Sequence, residues 1–572
     1  MQFTVWAPLA KKSVELVCVD QRFAMAGDAQ GYWSVDCAPA HIAQGYRFSI
    51  DGAAPLPDPR SAWQPDGVHG ASFLVNTQEL QAITRSDFTP KPLRDAVIYE
   101  LHIGTFSPEG TYAGAEHRLA HLVALGVTHL ELMPLATFPG KHGWGYDGVY
   151  LFAPHPAYGS PAQLAKFVAA AHAQGLAVLL DVVYNHLGPD GNYLNQYAPY
   201  FTDRVRTGWG EAVNYDGAHS DGVRRFVIDN ARMWLEVYGF DGLRLDAVHA
   251  IYGFEAVHVL EELASAIQAW AGASNRSVVL IAESDLNDPR LVLPSGRGGY
   301  GLDAQWADDF HHALHRVTTG ESSGYYIDFN GIKDLAVSLR DGYVYQGQYS
   351  SHRKRRHGRT PLDVRPDQLV VSAQNHDQIG NRAHGERLSM LLNPLQLKAV
   401  AALTILSPFV PLLFQGEEWG AGTPFLYFTD HQDEQLGKLV AQGRRKEFES
   451  FGWQDEVPDP QAPGTFSQSR LNWDELTQPA HQELLSWYRR IIALKASTIR
   501  PQSHAATVSY DEGAPWLCFV LGDLCVAVNF ASQPVSFALP EGNWRLLLTS
   551  SAQSPASGQL AQYETRIHIQ SL

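Results

Sequence analysis

Between about residue 95 and residue 416 the chain alternates short apolar runs with segments of helical periodicity. The runs are VIYELHIG (97–104), HLELMPL (129–135), LAVLLDVV (176–183), GLRLD (242–246), VVLIAE (278–283), LDAQW (302–306), LVVSAQ (369–374) and VPLLFQG (410–416). Near-continuous apolar runs suit strands buried on both faces, as in a parallel sheet. The helical segments between them supply the crossovers that parallel strands need. EHRLAHLVALG sets Leu119, Leu122 and Val123 at helical spacing, and Ser160-Pro161 reads as the cap and first residue of a helix closed by Gly175. Ser220 reads as the cap of a helix carrying Val223, Val227, Trp234 and Val237, which ends at Gly239. Eight such units predict an α/β chain folded as a (β/α)8 TIM barrel.

At 572 residues the chain is longer than one barrel requires. Residues 1–90 carry the strand-like runs FTVWAP, SVELVCV, GYWSVD and GYRFSID without helical periodicity, which predicts an N-terminal β-sandwich. The proline-rich stretch 56–67 reads as a loop leading into a barrel over 91–500. Residues 501–572 return to strands, with Gly522-Asp523 as a hairpin turn, and predict a C-terminal antiparallel β-domain. Two connections stand out by length: 204–219, which lacks a clear element, and 307–365. Long loops on a barrel are more often functional than accidental.

The net charge is −17, no run of Lys and Arg is long enough to track a phosphate backbone, and the one basic cluster, HRKRRHGR (352–359), reads as a solvated loop. No nucleic-acid partner is expected. The longest apolar stretch, 399–414, is broken by Ser407, Pro408 and Pro411, so no membrane span is expected. Cys18, Cys37, Cys518 and Cys525 imply neither a disulfide framework nor a metal site, and no cofactor is expected. The start MQFTVW has no basic or apolar leader, which points to the cytoplasm.

The chemistry is written at the ends of the runs. Asp246, Glu283 and Asp377 each sit in the last positions of such a run, in GFDGLRLD, VVLIAES and LVVSAQNHD, and read as strand-end carboxylates, where an ionised group is costly to bury without partners. Three carboxylates converging on one barrel face suit glycosidic bond cleavage, which needs a nucleophile and a proton donor close together. Arg244 lies two residues before Asp246, so both side chains point the same way and the guanidinium favours an ionised Asp246. A structural salt bridge would explain that pair as well. Desolvation would raise Glu283 toward a working acid, although a helix cap or hinge explains a lone Glu. Asp377, beside His376, can bond sugar hydroxyls, or can be a turn Asp. Asn185 and His186 in DVVYNH donate neutral hydrogen bonds, with Asp181 as an anchor for Arg244. Tyr146 in GWGYDGVY can stack on a sugar or serve the core.

DVVYNH, GFDGLRLDAVHAI, LIAESDLNDPR and SAQNHDQIGNR, in that order, resemble the four signature regions of the α-amylase superfamily of retaining glycoside hydrolases. The resemblance implies Asp246 as nucleophile, Glu283 as acid/base and Asp377 as transition-state stabiliser, with Arg244, His186, His376 and Tyr146 around the cleaved sugar. YELHIGTFSPEGTY (99–112), HGWGYDGVYLFAPHPAYG (142–159), GWGEAVNYD (208–216), DAQWADDFHHALH (303–315) and FQGEEWGAGTPFLYFTDH (414–431) are most similar to the maltooligosyltrehalose trehalohydrolase family. That resemblance implies maltooligosyl trehalose and related α-1,4-glucans as substrates. It makes Trp209 a candidate aromatic wall on the trehalose side, with Asp308, Asp309, His311 and His312 as candidate hydroxyl partners. A glycogen branching or debranching enzyme, another α-glucan hydrolase, and an idle sugar-binding barrel are the alternatives.

Overall fold

In the computed structural model, residues 1–570 are described apart from 20, 362, 451–456, 499–505 and 553–557. Eight parallel strands close a barrel: Ile98–Leu101, His129–Leu132, Ala177–Val182, Gly242–Leu245, Val279–Ala282, Ala304–Trp306, Leu369–Ser372 and Val410–Phe414. They follow one another in sequence order, the eighth pairing with the first. The eight apolar runs of the sequence are these strands. Toward the N-terminal end the interior is filled by Ile98, Leu179, Ile281, Ala304, Val370, Val410 and Leu412. The barrel is thus a packed core and leaves room for chemistry at the C-terminal face.

Sequence signals for the helices hold in part. Ser160 forms a capping box with Gln163 at the head of Pro161–Ala173, a device that contributes about 1 kcal/mol. Leu119 and Leu122 are buried as expected, but Val123 is 42% exposed and Leu125 takes the inner position. Ser220 is the first helical residue of Ser220–Glu236 and caps nothing; the cap position is His219, in the left-handed region at φ 66°.

The N-terminal strands form two three-stranded antiparallel sheets. A helix, Thr77–Thr84, follows them and was not legible in the sequence. Its amphipathic stripe is short, with Leu80 and Thr84 as its buried residues. The N-terminal sheets meet the barrel through Trp6, whose ring lies edge-on to Tyr200 at 5.6 Å, and through the Arg60–Asp229 ion pair at 2.8 Å. Among the described residues of 507–570, five strands form an antiparallel sheet and Val535–Ser536 pairs separately with Gln559–Leu560, with Gly522 at φ 58° in the turn between Trp516–Leu521 and Leu524–Asn529. All four cysteines are free and buried. Among the described residues no helix is long and apolar enough to cross a membrane.

Both long connections carry structure that the sequence did not announce. Phe201–Thr207 and Gly210–Val213 pair as a hairpin, with Trp209 in its turn. The 307–365 stretch holds two helices, Asp308–Thr319 and Ile332–Asp341, then a hairpin of Gln346–Ser350 and Arg355–Gly358. The basic cluster 352–359 is therefore built into that hairpin, with 352–354 in its turn and Arg355–Gly358 as its second strand. Its His357 is buried and bonds the carbonyl of Asp285 at 2.7 Å.

Candidate active site

The fourth and fifth barrel strands place Asp246 and Glu283 side by side. Leu245 and Ala282 are the last register pair, and each carboxylate is the next residue along. Ala247, directly after Asp246, adopts φ 38°. That left-handed turn costs a residue with a Cβ about 1–3 kcal/mol and redirects the chain. It brings the Ala247 N–H to the Glu283 carboxylate.

Arg244 is the centre of charge. Its side chain is fully buried, and one nitrogen, Nη1, donates to Asp181 Oδ2 at 2.7 Å and to Asp246 Oδ1 at 2.8 Å. Nη2 lies 3.5 Å from Glu283 Oε2. The Trp306 ring, 4.2 Å from the guanidinium carbon, supports the group from below. Burial pushes the Asp246 and Glu283 carboxyls up, and Arg244 opposes this for both. Of the two, Asp246 has the direct guanidinium hydrogen bond, which favours its ionised form, while Glu283 lies farther from the guanidinium and accepts from the Ala247 N–H. Burial likewise raises Asp181, to about 7, against the pull of Arg244.

The seventh strand ends at Ser372, so Asp377 is not a strand-end residue. It lies on the one-turn helix His376–Gly380, whose cap is Asn375. That helix docks through Gly380, where an added Cβ would sit 2.0 Å from the Trp144 ring. The Asp377 side chain is 45% exposed.

A second hydrogen-bonded line runs beneath these groups. Glu100, on the first strand, receives both the backbone N–H of His376 at 3.1 Å and its ring Nδ1 at 2.5 Å. The other ring nitrogen bonds the Tyr146 hydroxyl at 2.7 Å, and that hydroxyl donates to Asp181 at 2.7 Å. Burial alone would favour a neutral His376, but Glu100 and Asp377 outweigh it and push the imidazole up to about 9. Glu100 was not legible in the sequence, since its partner lies 276 positions away.

This geometry has a stability consequence. A histidine raised from 6.5 to about 9 contributes stability that is whole below pH 6.5 and lost as pH rises through about 9. Glu100→Gln is therefore expected to lower thermal stability most at about pH 6.5 and just below, by about 3 kcal/mol, and less as pH rises. The gap from the parent should close toward about pH 10. Melting curves across this range test it, and a gap independent of pH would contradict it.

A cavity of about 490 Å³ opens over the site, a volume ordinary for small-ligand pockets. Tyr146, His186, Trp209, Asp246, Glu283, His376 and Asp377 all line it. The Tyr146 ring stacks on His376 with centroids 5.2 Å apart. Trp209, 53% exposed, stacks on His186 at 4.8 Å and 7°. Burial lowers His186 to about 4, so it is neutral and able to hydrogen-bond.

Other expected residues are not brought to the cavity. Asn185 is buried outside its lining, its amide without a hydrogen-bond partner among the described residues. His311 spends both ring nitrogens on the protein: Nδ1 on the Ala373 carbonyl at 2.6 Å and Nε2 on the Tyr326 hydroxyl at 2.9 Å. It has no free polar atom for a sugar. Asp309 accepts from Asn287 and from the Val344 and Tyr345 amides, a structural role. His312 packs against Tyr325, Tyr326 and Phe329. Asp308 does not line the cavity; burial raises its carboxyl, and the charges of Glu283, Asp285 and Asp377 raise it further.

The wall also contains residues that sequence reasoning missed: Trp144, Asp147, His249, Asn381, Tyr427 and Arg444. Trp144 and Asp147 flank Tyr146, and His249 follows Asp246 by three, so proximity to a chosen residue was their only signal. A larger cavity, about 600 Å³ and lined by Arg85, His172, Asp241 and Arg276, lies at the N-terminal end of the strands. That end of a barrel serves stability rather than catalysis. Among the described residues no group of three or more His, Cys, Asp or Glu has the arrangement of a metal site.

Comparison with known proteins extends these observations. The alpha amylase, catalytic domain family matches residues 68–206, and the family described as "Domain of unknown function (DUF3459)" matches residues 501–566. Malto-oligosyltrehalose trehalohydrolase from Rhizobium sp. (strain M-11) is 47% identical, the alignment covering 96% of this chain and 94% of that protein. The enzyme of the same name from Saccharolobus solfataricus is 41% identical, with coverage of 98% and 96%. The crystal structure of a Salmonella typhimurium protein assigned to the alpha amylases superposes with a TM-score of 0.91 at 36% identity, covering 100% of this chain and 97% of its own. A pullulanase from Paenibacillus barengoltzii, with a TM-score of 0.74 at 19% identity and coverage of 100% and 94%, shares the fold.

Proposed function

The chain belongs to the malto-oligosyltrehalose trehalohydrolase family of alpha-amylase-type glycoside hydrolases, and from that premise we propose that it hydrolyses the α-1,4 bond next to the terminal trehalose of maltooligosyl trehalose. The products are trehalose and a maltooligosaccharide shortened by that unit. The observation that carries the reading is the pairing of Asp246 and Glu283 at the ends of adjacent strands, with Arg244 bonded to the first.

Glu283 protonates the glycosidic oxygen as Asp246 attacks the anomeric carbon, which gives a covalent glycosyl-enzyme. The C–O bond to the leaving trehalose breaks in the same step. Glu283, now a carboxylate, takes a proton from water, which attacks the same carbon and frees Asp246, so the α configuration is retained. Asp377 bonds hydroxyls of the distorted sugar and steadies the positive charge that develops on it. Tyr146, stacked on His376, supplies a flat face for that sugar, and Trp209 supplies an exposed wall for the next one. The free cysteines suit a reducing, cytoplasmic setting.

Digestion of maltohexaose and of a maltooligosyl trehalose of equal length tests the proposal. Free trehalose from the second, with little attack on the first, is the expected outcome. Equal cleavage of both would identify an ordinary amylase instead.

A further inference from the structure

The helix Glu434–Ser450 reaches the cavity with Val440, Gly443 and Arg444, far in sequence from every group of the proposed mechanism. Arg444 is held on three sides. Its Nη2 donates to the Gly380 carbonyl at 2.8 Å, and its guanidinium lies 4.7 Å from the centre of the Tyr427 ring. Its Nη1 donates to Asn381 Oδ1 at 2.9 Å. Asn381 in turn donates from Nδ2 to Asp377 Oδ1 at 3.3 Å. Among the described residues this is the one hydrogen bond to the Asp377 carboxylate, whose other near neighbour is His376 Nε2 at 3.7 Å.

The chemistry of these groups makes the arrangement directional. An asparagine amide has a donor end and an acceptor end of nearly equal shape. A guanidinium only donates, so the end facing Arg444 must be the oxygen. The amino end is then turned to Asp377. The Asp377 carboxylate only accepts and favours the same orientation, so Arg444 supplies the second anchor, on the oxygen end, without which the amide is free to swing away from Asp377. Asp377 is nearly half exposed and has little else to fix it.

We propose that Arg444 is a positioning residue that anchors the Asn381 amide in the orientation facing Asp377 and thereby holds Asp377 for transition-state stabilisation. This rests on the role given above to Asp377. The loss of one hydrogen bond to a charged group corresponds to about a tenfold to hundredfold effect. Arg444→Met is expected to lower kcat by that range with KM little changed. Arg444→Lys, still only a donor, should recover much of it.

A double-mutant cycle on maltooligosyl trehalose carries the test. Asn381→Ala should lower kcat, and adding Arg444→Met to it should lower kcat little further, because both changes remove the same contact. Asn381→Asp keeps an acceptor for Arg444 while removing the donor to Asp377. It should retain the parent melting temperature yet lose more turnover than Asn381→Ala. Independent, multiplying losses at the two positions would overturn the proposal, as would parental kcat in Arg444→Met or in Asn381→Asp. Asp377→Asn is measured alongside. Its full activity would overturn the role of Asp377 itself, whereas an inactive Asp377→Asn with additive effects at 381 and 444 would overturn the positioning alone.

Discussion

Asp246→Asn is expected to lower kcat by about 10³- to 10⁴-fold or more while leaving the fold intact, the range for losing a group that acts directly in the chemistry. An amide cannot attack the anomeric carbon, yet it preserves the volume at a site that is 8% exposed. It can also still accept from Arg244 Nη1, so the charge centre remains bonded. Glu283→Gln should cost a comparable factor on natural substrates, for a different reason. It leaves Asp246 able to attack but removes the proton for the leaving oxygen. A substrate with a fluoride leaving group needs no such proton, so Glu283→Gln should form the glycosyl-enzyme from it at a useful rate and Asp246→Asn should not. Single-turnover kinetics with the two substrates separate these roles. Equal behaviour of the two variants on both substrates would sink the division of labour.

The second large effect is on stability as well as turnover. Arg244 is buried among Asp181, Asp246 and Glu283, and its removal strands their charges. Replacing one partner of such a buried cluster costs about 3–5 kcal/mol. Arg244→Met should therefore melt well below the parent at neutral pH. The sign with pH is definite. Burial already raises the three carboxyls against Arg244, and without the guanidinium their folded-state values rise further. A raised carboxyl penalises folding above its unfolded value, increasingly until pH passes its folded value. The variant should thus approach the parent near pH 4 and fall furthest behind above about pH 7. A deficit constant over that range would mean that Arg244 acts through packing on Trp306 rather than through charge.

The barrel was legible because parallel strands buried on both faces leave continuous apolar runs, and the site residues Arg244, Asp246 and Glu283 were legible because they sit inside or directly after such runs. Asp377 was found by its motif, although its backbone is a one-turn helix beyond the strand. Glu100 was hidden for the opposite reason. It occupies an interior strand position where a sequence reader assumes packing, and its partner lies 276 residues away. Arg444 sits on a polar helix that looks solvated in sequence, and only tertiary contact reveals that one turn of it meets the cavity. His311 shows the converse error. Its setting beyond the sixth strand looked suited to a sugar, but the Ala373 carbonyl and the Tyr326 hydroxyl consume both ring nitrogens. Spacing reports which residues can approach the face of a barrel, while hydrogen-bond accounting reports which of them remain free.

Proton NMR of the first turnovers on maltotriosyl trehalose bears on the proposed reaction most directly. Free trehalose and the α-anomer of maltotriose should appear together and at equal rates, before mutarotation mixes the anomers. Early β-maltotriose, or glucose and maltose released without trehalose, would contradict the assignment.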